Sequence, residues 1–388
     1  MTDFPDKLNK LLEQRKAEDS LRSLETAKRL VDFSSNDYLG LARNPNLFHQ
    51  SSGLLETMKI EESGATASRL LSGNHRLYQE LESLLCRFYK AEAALVFNSG
   101  YDANIGLFSS VLQRNDLVFF DELIHASIRD GIMMSHAKSY KFTHNDLQDL
   151  RQKITRSLNP GSKKGAHTIY VVTESVFSMD GDSPALSELT ELCQEFGCYL
   201  IVDEAHAIGV MGTGRGVLLH QSLENKVFAR VVTFGKAMGC HGAAVLGSGS
   251  LKSYLTNFAR SLIYSTGLPP HSLATILKAH EFIVSKEASE ARKSLLENTG
   301  FFDQQIKAKD LRARVIPSDS AIRSCIIPGN KRVRQISKEL ADAGFDVRPI
   351  LSPTVAAGTE RLRFCLHSYN TQAEINGVLT ILAAALQK

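Results

Sequence analysis

The stretch Tyr199-Leu200-Ile201-Val202-Asp203-Glu204-Ala205-His206 sets the architecture: a short apolar strand that stops on an acid. A run this short and continuously apolar, with no polar alternation, reads as a strand buried on both faces, as in a parallel sheet covered by helices. The theme recurs on either side. Residues 93–97, 116–120 and 168–173 lie upstream, and 227–234 and 242–247 downstream, the last as a candidate antiparallel strand. Helical patterns fill several of the gaps, the clearest being the amphipathic stretch 77–89. This alternation predicts an α/β fold.

Further out, a charged helical stretch at about 272–295 leads away from the sheet. Beyond it, 322–327, 333–344, 345–349 and 362–366 read as strand, helix, strand, strand, a small α+β domain. At the other end, about 5–30 is charged and helical in pattern, with Leu8, Leu11, Leu12 and Leu21 forming a partial apolar face.

The bulk numbers exclude more than they assign. At 388 residues, 43% hydrophobic and 22% charged, the chain is too long for one small core. A net charge of +3 predicts no general nucleic-acid partner. The cysteines are Cys86, Cys193, Cys198, Cys240, Cys325 and Cys365. Only Cys193 and Cys198 are close, and no second pair completes a tetrahedral zinc site, so free buried thiols in a reducing compartment are expected and no metal. Met1-Thr2-Asp3-Phe4 opens no signal-like apolar core and no run is long enough to span a membrane, so the expected location is cytoplasmic.

In an α/β sheet, ligands gather at the carboxyl ends of the strands. The first such end is Asn98-Ser99-Gly100-Tyr101-Asp102-Ala103-Asn104, entering a helix; a glycine and a helix start suit a phosphate, although many turns contain Ser-Gly only to turn. Asp203 stands at a strand end, where a carboxylate can hold a pyridine nitrogen protonated and make its ring an electron sink. His206 lies three residues on. Asp203-Glu204-Ala205-His206 also has the wording of a helicase-type metal box, but the only Gly-Lys pair, Gly235-Lys236, is followed by Ala237 and has Arg230 where a phosphate loop needs its first glycine. His125 follows another strand and could stack on a flat ring. Lys236, between Gly235 and Gly239 after an apolar run, sits where desolvation would free an amine for Schiff-base chemistry, although most lysines are solvated surface charges.

Together these residues resemble the fold-type-I pyridoxal-phosphate enzymes and, within them, the α-oxoamine synthase family. The likeness runs from about Val31 to Leu382. It is carried by Asn36-Asp37-Tyr38-Leu39-Gly40-Leu41, by E-S-V-F-S-M-D-G-D from Glu174, by D-E-A-H-A-I-G-V-M-G-T-G-R-G from Asp203, by Thr233 through Lys236, and by Tyr264 through Pro270. The resemblance implies a large, mainly parallel seven-stranded sheet domain over 46–285, a small α+β domain over 286–388, and an N-terminal segment, 1–45, packing with the small domain. It also implies a homodimer with its active site at the subunit interface.

The same resemblance assigns roles. Pyridoxal 5'-phosphate would be carried on Lys236, with Asp203 pairing with its ring nitrogen and His125 stacking on the ring. Ser178 and His206 would bond near the ring hydroxyl. Gly100, Tyr101 and Thr233 would seat the phosphate, joined by Thr266 from the second subunit. Lys236, His125, Asp203 and His206 form the implied catalytic set. Arg363 would hold an amino-acid carboxylate, with Arg361 on the same strand face as its competitor, and Asn36 and Thr354 would contact substrate. The wording of S-M-D-G-D, N-D-Y-L-G-L and P-T-V-A-A-G-T-E-R-L-R leans toward the branch that joins L-alanine to a pimeloyl thioester, carried by CoA or a carrier protein, in biotin biosynthesis.

Two stretches depart from the family's pattern. Leu351-Ser352 stand where an arginine and a proline are expected, with Arg348 three residues upstream, and Ala65-Thr66-Ala67-Ser68-Arg69 replaces a run of Gly and Ser. Both regions bear on the acyl donor. A glycine-using ketobutyrate ligase and a serine palmitoyltransferase therefore remain open within the family. Outside it stand a non-catalytic subunit of the same fold, which would have no need of Lys236, and a cofactor-free binding protein.

Overall fold

The computed structural model describes residues 4–24, 29–158 and 167–387. The chain divides into two compact units, a larger one of residues 36–178 and 182–292 and a smaller one of 1–35, 179–181 and 293–388.

The smaller unit opens with a helix, Asp6–Ala17, and a two-residue strand β1 (Val31–Asp32). The helix is shorter than the pattern extending to residue 30. Asp19 takes a left-handed φ of 51° just past its end, and residues 25–28, like Met1–Thr2–Asp3, lie outside the described residues.

The larger unit is built on a seven-stranded sheet: β2 (Ala93–Phe97), β3 (Leu117–Asp121), β4 (Lys138–Phe142), β5 (Ile169–Glu174), β6 (Tyr199–Asp203), β7 (Ala229–Thr233) and β8 (Ala243–Gly247). Their order across the sheet is β2-β8-β7-β6-β5-β3-β4. The five from β7 to β4 pair in parallel, and β8 is antiparallel to both neighbours. Two reversals restore direction, so β2 again runs with β7, and its carboxyl end reaches the same edge as the parallel strands.

Strand side chains alternate across the sheet. Tyr170, Val172 and Ile201 join one core with Leu107, Phe108 and Ile128, while Ile169, Val171, Leu200 and Val202 join another with Leu150, Leu189 and Leu218. Each fully buried aliphatic or aromatic side chain is worth roughly 1.5–3 kcal/mol. These two covered faces explain why the strands read as continuous apolar runs.

In the smaller unit, β1 pairs in parallel with β10 (Phe345–Asp346), which follows β9 (Ile322–Ile326) in the chain. β11 (Arg348–Ile350) and β12 (Arg361–Cys365) complete an antiparallel sheet ordered β11-β12-β9. The helical stretch expected at 272–295 is two helices, Pro270–Ile283 and Lys286–Ala308. The second has its own cap: the Ser285 hydroxyl accepts the Ala288 amide at 3.2 Å. All six cysteines are free, and burial pushes the thiols of Cys198 and Cys325 up to about 12, which makes them inert at neutral pH. Among the described residues no helix is long and apolar enough to cross a membrane.

Candidate active site

Five strand ends of the larger unit deliver the site, those of β2, β3, β5, β6 and β7. After β2, the Ser99 hydroxyl accepts the Asp102 amide at 3.0 Å and starts the helix Gly100–Val111. The first-turn amides of Gly100 and Tyr101 have no acceptor within a helix. A Cβ on Gly100 would lie 3.5 Å from Thr233 Oγ1, so the helix start abuts the end of β7. The amides and the Thr233 hydroxyl thus converge at one place. The Tyr101 hydroxyl is turned aside to donate to Asp130 Oδ2 at 2.7 Å. Thr266 is exposed; its backbone bridges Ser68 and its carbonyl accepts from Asn98 Nδ2 at 2.6 Å.

At the end of β6 the Asp203 carboxylate is buried, taking Asn104 Nδ2 on Oδ2 and the Ala205 amide on Oδ1, both at 2.9 Å. Asn104 Nδ2 also donates to Ser127 Oγ at 3.0 Å, and Ser127 Oγ lies 2.8 Å from His125 Nδ1. The Ser127 amide donates to the same Nδ1 at 3.2 Å, so Nδ1 is an acceptor and the ring proton sits on Nε2. One chain of hydrogen bonds therefore links the acid to the histidine. Partial desolvation lowers the pKa of His125; Asp203 opposes this and the Lys236 ammonium reinforces it.

Glu174, at the end of β5, is buried, and its Oε1 accepts the His125 amide at 2.5 Å. Burial pushes this carboxyl well above the usual range, and the neighbouring Asp203 charge adds to the effect against the pull of Lys236. Lys236 itself is half-buried in the turn beyond β7. That turn is locked from below: Gly239 has φ +62°, and a Cβ there would fall 2.2 Å from the amide nitrogen of Ala42. N-D-Y-L-G-L is thus the floor on which the lysine turn rests. From the same segment, the Tyr38 hydroxyl bridges His206 Nδ1 at 2.7 Å and Asn36 Oδ1 at 3.2 Å. Ser178 is buried in the turn after β5, which the Phe177 amide closes onto the Asp182 carbonyl at 2.9 Å.

The remaining sequence-identified residues belong to the smaller unit. Arg363 is buried on β12 between Ser324 of β9 and Arg348 of β11, and its Nη1 lies 2.9 Å from Cys365 Sγ. Arg361, on the same face, is paired with the Asp180 carboxylate. Arg348 points outward to Asp346 at 2.9 Å, and Thr354 accepts from Arg22 at 3.2 Å. Back in the larger unit, the departing segment at 65–69 ends in an Arg69–Glu82 pair at 2.8 Å, with Arg69 lying over the Tyr78 ring.

Glu174, Asn104, Ser127 and Tyr38 received no role from the sequence. Asn104 and Ser127 carried a usable signal, each being a polar residue at a buried helix position beside apolar neighbours.

The donor set fits pyridoxal phosphate. Asp203 is a buried carboxylate held by two neutral donors, and a cationic ring N–H would complete its neutralisation. An amine, a histidine ring, and an anion seat of helix amides and a hydroxyl lie along the same sheet edge. Such a fold and donor set define a pyridoxal-phosphate-dependent transferase of fold type I. The chain belongs to the aminotransferase class I and II family, whose pattern it matches over residues 28–382, and within it to the α-oxoamine synthases. It is 40% identical over 350 residues to a protein of Bacillus cereus (strain B4264) provisionally named 8-amino-7-oxononanoate synthase, a match covering 90% of this chain and 85% of that one. Among solved structures, the serine palmitoyltransferase of S. paucimobilis with a bound PLP–myriocin aldimine is 28% identical with a TM-score of 0.87, over 98% of this chain and 97% of that one. The 8-amino-7-oxononanoate synthase of Francisella tularensis is 30% identical with a TM-score of 0.77, over 92% and 98%.

Proposed function

We propose that the chain condenses L-alanine with a pimeloyl thioester, releasing CO2 and the thiol carrier and giving 8-amino-7-oxononanoate. The observation that carries the mechanism is Asp203, a buried carboxylate that takes the Asn104 side chain and the Ala205 amide, at the strand edge that also bears Lys236. The choice of alanine and a pimeloyl thioester rests on the names of the Bacillus cereus and Francisella tularensis relatives.

Bound pyridoxal phosphate supplies an electron sink for the carbanion left when the amino acid loses its α-proton. Asp203 keeps a proton on the facing ring nitrogen. The Gly100 and Tyr101 amides, Thr233, and Thr266 of a second subunit hold the phosphate. His125 covers the ring, while Ser178 and His206 bond at its hydroxyl edge. Lys236 carries the cofactor at rest; its Nζ takes the α-proton and returns one to the product carbon after CO2 has left. Arg363 binds the substrate carboxylate as a planar two-pronged donor, and Arg361, two residues away on the same strand, is paired with Asp180. Asn36 and Thr354 complete the substrate contacts. A cytoplasmic homodimer goes with this reading, and sedimentation tests its oligomeric state.

A second reading has one observation in its favour: the serine palmitoyltransferase superposes with the higher TM-score, 0.87 against 0.77. The deciding experiment is a visible absorption titration of the cofactor-loaded protein with alanine, glycine and serine, followed by turnover with pimeloyl thioester. A band lost in Lys236→Ala, shifted at low alanine concentration and weakly by the others, supports the proposal. A band that answers best to serine transfers the protein to the second reading, and one that answers best to glycine to a ketobutyrate ligase. A band indifferent to the loss of Lys236 overturns the catalytic assignment.

A further inference from the structure

Behind the site lies a polar cluster that the proposed chemistry does not use. His144 follows the edge strand β4, with Nδ1 2.8 Å from Asp121 Oδ1 and Nε2 2.7 Å from Asp182 Oδ2. A neutral imidazole carries one N–H and can donate to one acceptor only. Two carboxylate oxygens, one on each ring nitrogen, call for a ring with both nitrogens protonated. Burial opposes that charge, but the hydrogen bonds to Asp121 and Asp182 outweigh it and raise the pKa to about 9. The Asn145 amide donates to Asp121 Oδ2 at 2.8 Å, and Asn145 Nδ2 donates to Asp182 Oδ2 at 2.7 Å. The Phe177 ring meets the imidazolium edge-on, with centroids 4.5 Å apart.

Each carboxylate belongs to a turn that delivers a site residue. Asp121, with no exposed surface, ends β3, and its Oδ1 also accepts the Leu123 amide at 2.8 Å, which folds the turn leading to His125. The carbonyl of Asp182 accepts the Phe177 amide and closes the turn that contains Ser178. We infer that His144 is a positioning residue, whose imidazolium fixes the His125 turn against the Ser178 turn and so sets how both meet the cofactor ring. This rests on the reading of His125 and Ser178 as cofactor contacts. A clamp with only a structural role would lower the melting temperature and leave the bound cofactor's environment unchanged.

The test uses the full chain and two variants, His144→Gln, which removes the charge and one donor direction, and the near-isosteric Asp182→Asn, which keeps the ring and weakens one partner. Pyridoxal phosphate is titrated into each apoprotein, and the visible circular dichroism of the bound cofactor is recorded beside the melting temperature. The expected result is cofactor affinity weakened about tenfold in His144→Gln, the scale of one charge-assisted hydrogen bond, with a smaller loss in Asp182→Asn and an altered dichroic band in both. Wild-type affinity and an unchanged band in both variants, whatever their melting temperatures, overturn the inference. If His144→Gln does not fold, Asp182→Asn decides by the same two readouts. None of these measurements needs an acyl donor. Failure of pimeloyl turnover alongside the expected variant effects overturns the substrate reading alone, and a wild-type protein that binds no cofactor overturns both.

Discussion

Replacing Glu204 by Gln should separate what holds this sheet together from what works at its edge. Glu204 follows Asp203 directly, and the two acids face different partners. Glu204 is fully buried: Oε2 accepts from Arg230 Nε at 3.0 Å and Nη2 at 2.5 Å, and Oε1 accepts the Leu218 amide at 3.0 Å. Arg230 is equally enclosed, with Nη1 donating to the Tyr89 carbonyl at 3.0 Å. A glutamine amide has one acceptor and one donor end, so whichever way it turns, an N–H₂ faces either the guanidinium or the Leu218 N–H. It also leaves the Arg230 charge uncompensated in a dry interior, which costs about 3–5 kcal/mol. Urea unfolding followed by far-UV circular dichroism measures that loss. Because Asp203 keeps both of its donors, the cofactor's dissociation constant in the folded variant should stay within about twofold of wild type. Adding Arg230→Met removes the orphaned charge and should recover most of the stability, less about 1 kcal/mol for the Tyr89 carbonyl left without its donor. A Glu204→Gln loss below about 1 kcal/mol would refute the idea that this pair is a dry, mutually dependent ion pair.

Three further outcomes are expected. Gly239→Ala forces a side chain into a left-handed position whose Cβ lies 2.2 Å from the Ala42 amide nitrogen, so stability should fall by at least about 2 kcal/mol in urea unfolding, and a change below about 0.5 kcal/mol would count against the interlock. Arg363→Lys, losing the two-pronged donor, should raise the alanine KM at least about tenfold with a smaller effect on kcat, and an unchanged KM would remove Arg363 from the carboxylate site. The His144 pKa is raised to about 9 from an ordinary 6.5, so its stabilisation is complete below pH 6.5 and is lost as pH rises through 9. At 1.36 kcal/mol per pH unit the full effect is about 3 kcal/mol. The gap in unfolding free energy between wild type and His144→Gln should therefore narrow steeply between pH 7 and 9.5, and a gap independent of pH would mean the ring is neutral in the folded protein.

What the sequence revealed followed burial. Strands covered on both faces, such as β5, β6 and β7, were legible because most of their residues are buried and apolar, with polar groups held to the strand ends and to Arg230. β4 was not: four of its five residues, in Lys138-Ser139-Tyr140-Lys141-Phe142, are exposed at the sheet's edge, and the two lysines there guard an unpaired rim instead of filling a core. The break at Ser285 was hidden because both flanking stretches read as helix and no proline or glycine separates them. At the site, Lys236 and Asp203 could be found at strand ends, where chemistry-bearing residues stand out against apolar runs. Asn104 could be noticed as a polar residue among apolar neighbours, but its role could not be read, because that role exists only once the fold brings Asp203 beside it. The pairing of Arg361 with Asp180 was likewise not legible along the strand, since Asp180 lies far away in sequence.

The antiparallel strand β8 imposes an order of events on a chain leaving the ribosome. β2 stands at the sheet's edge with β8 as its single hydrogen-bonded strand neighbour, Phe97 pairing with Ala243. Until residues 243–247 have been synthesised, β2 has no place in the sheet, and the helix start at Gly100 has no Thr233 to abut. Closing so long a loop is slow, and the early strands wait exposed meanwhile. A nascent chain therefore cannot assemble the proposed phosphate seat early. Cofactor capture is expected as a late checkpoint of biosynthesis, leaving truncated products unable to sequester the vitamin.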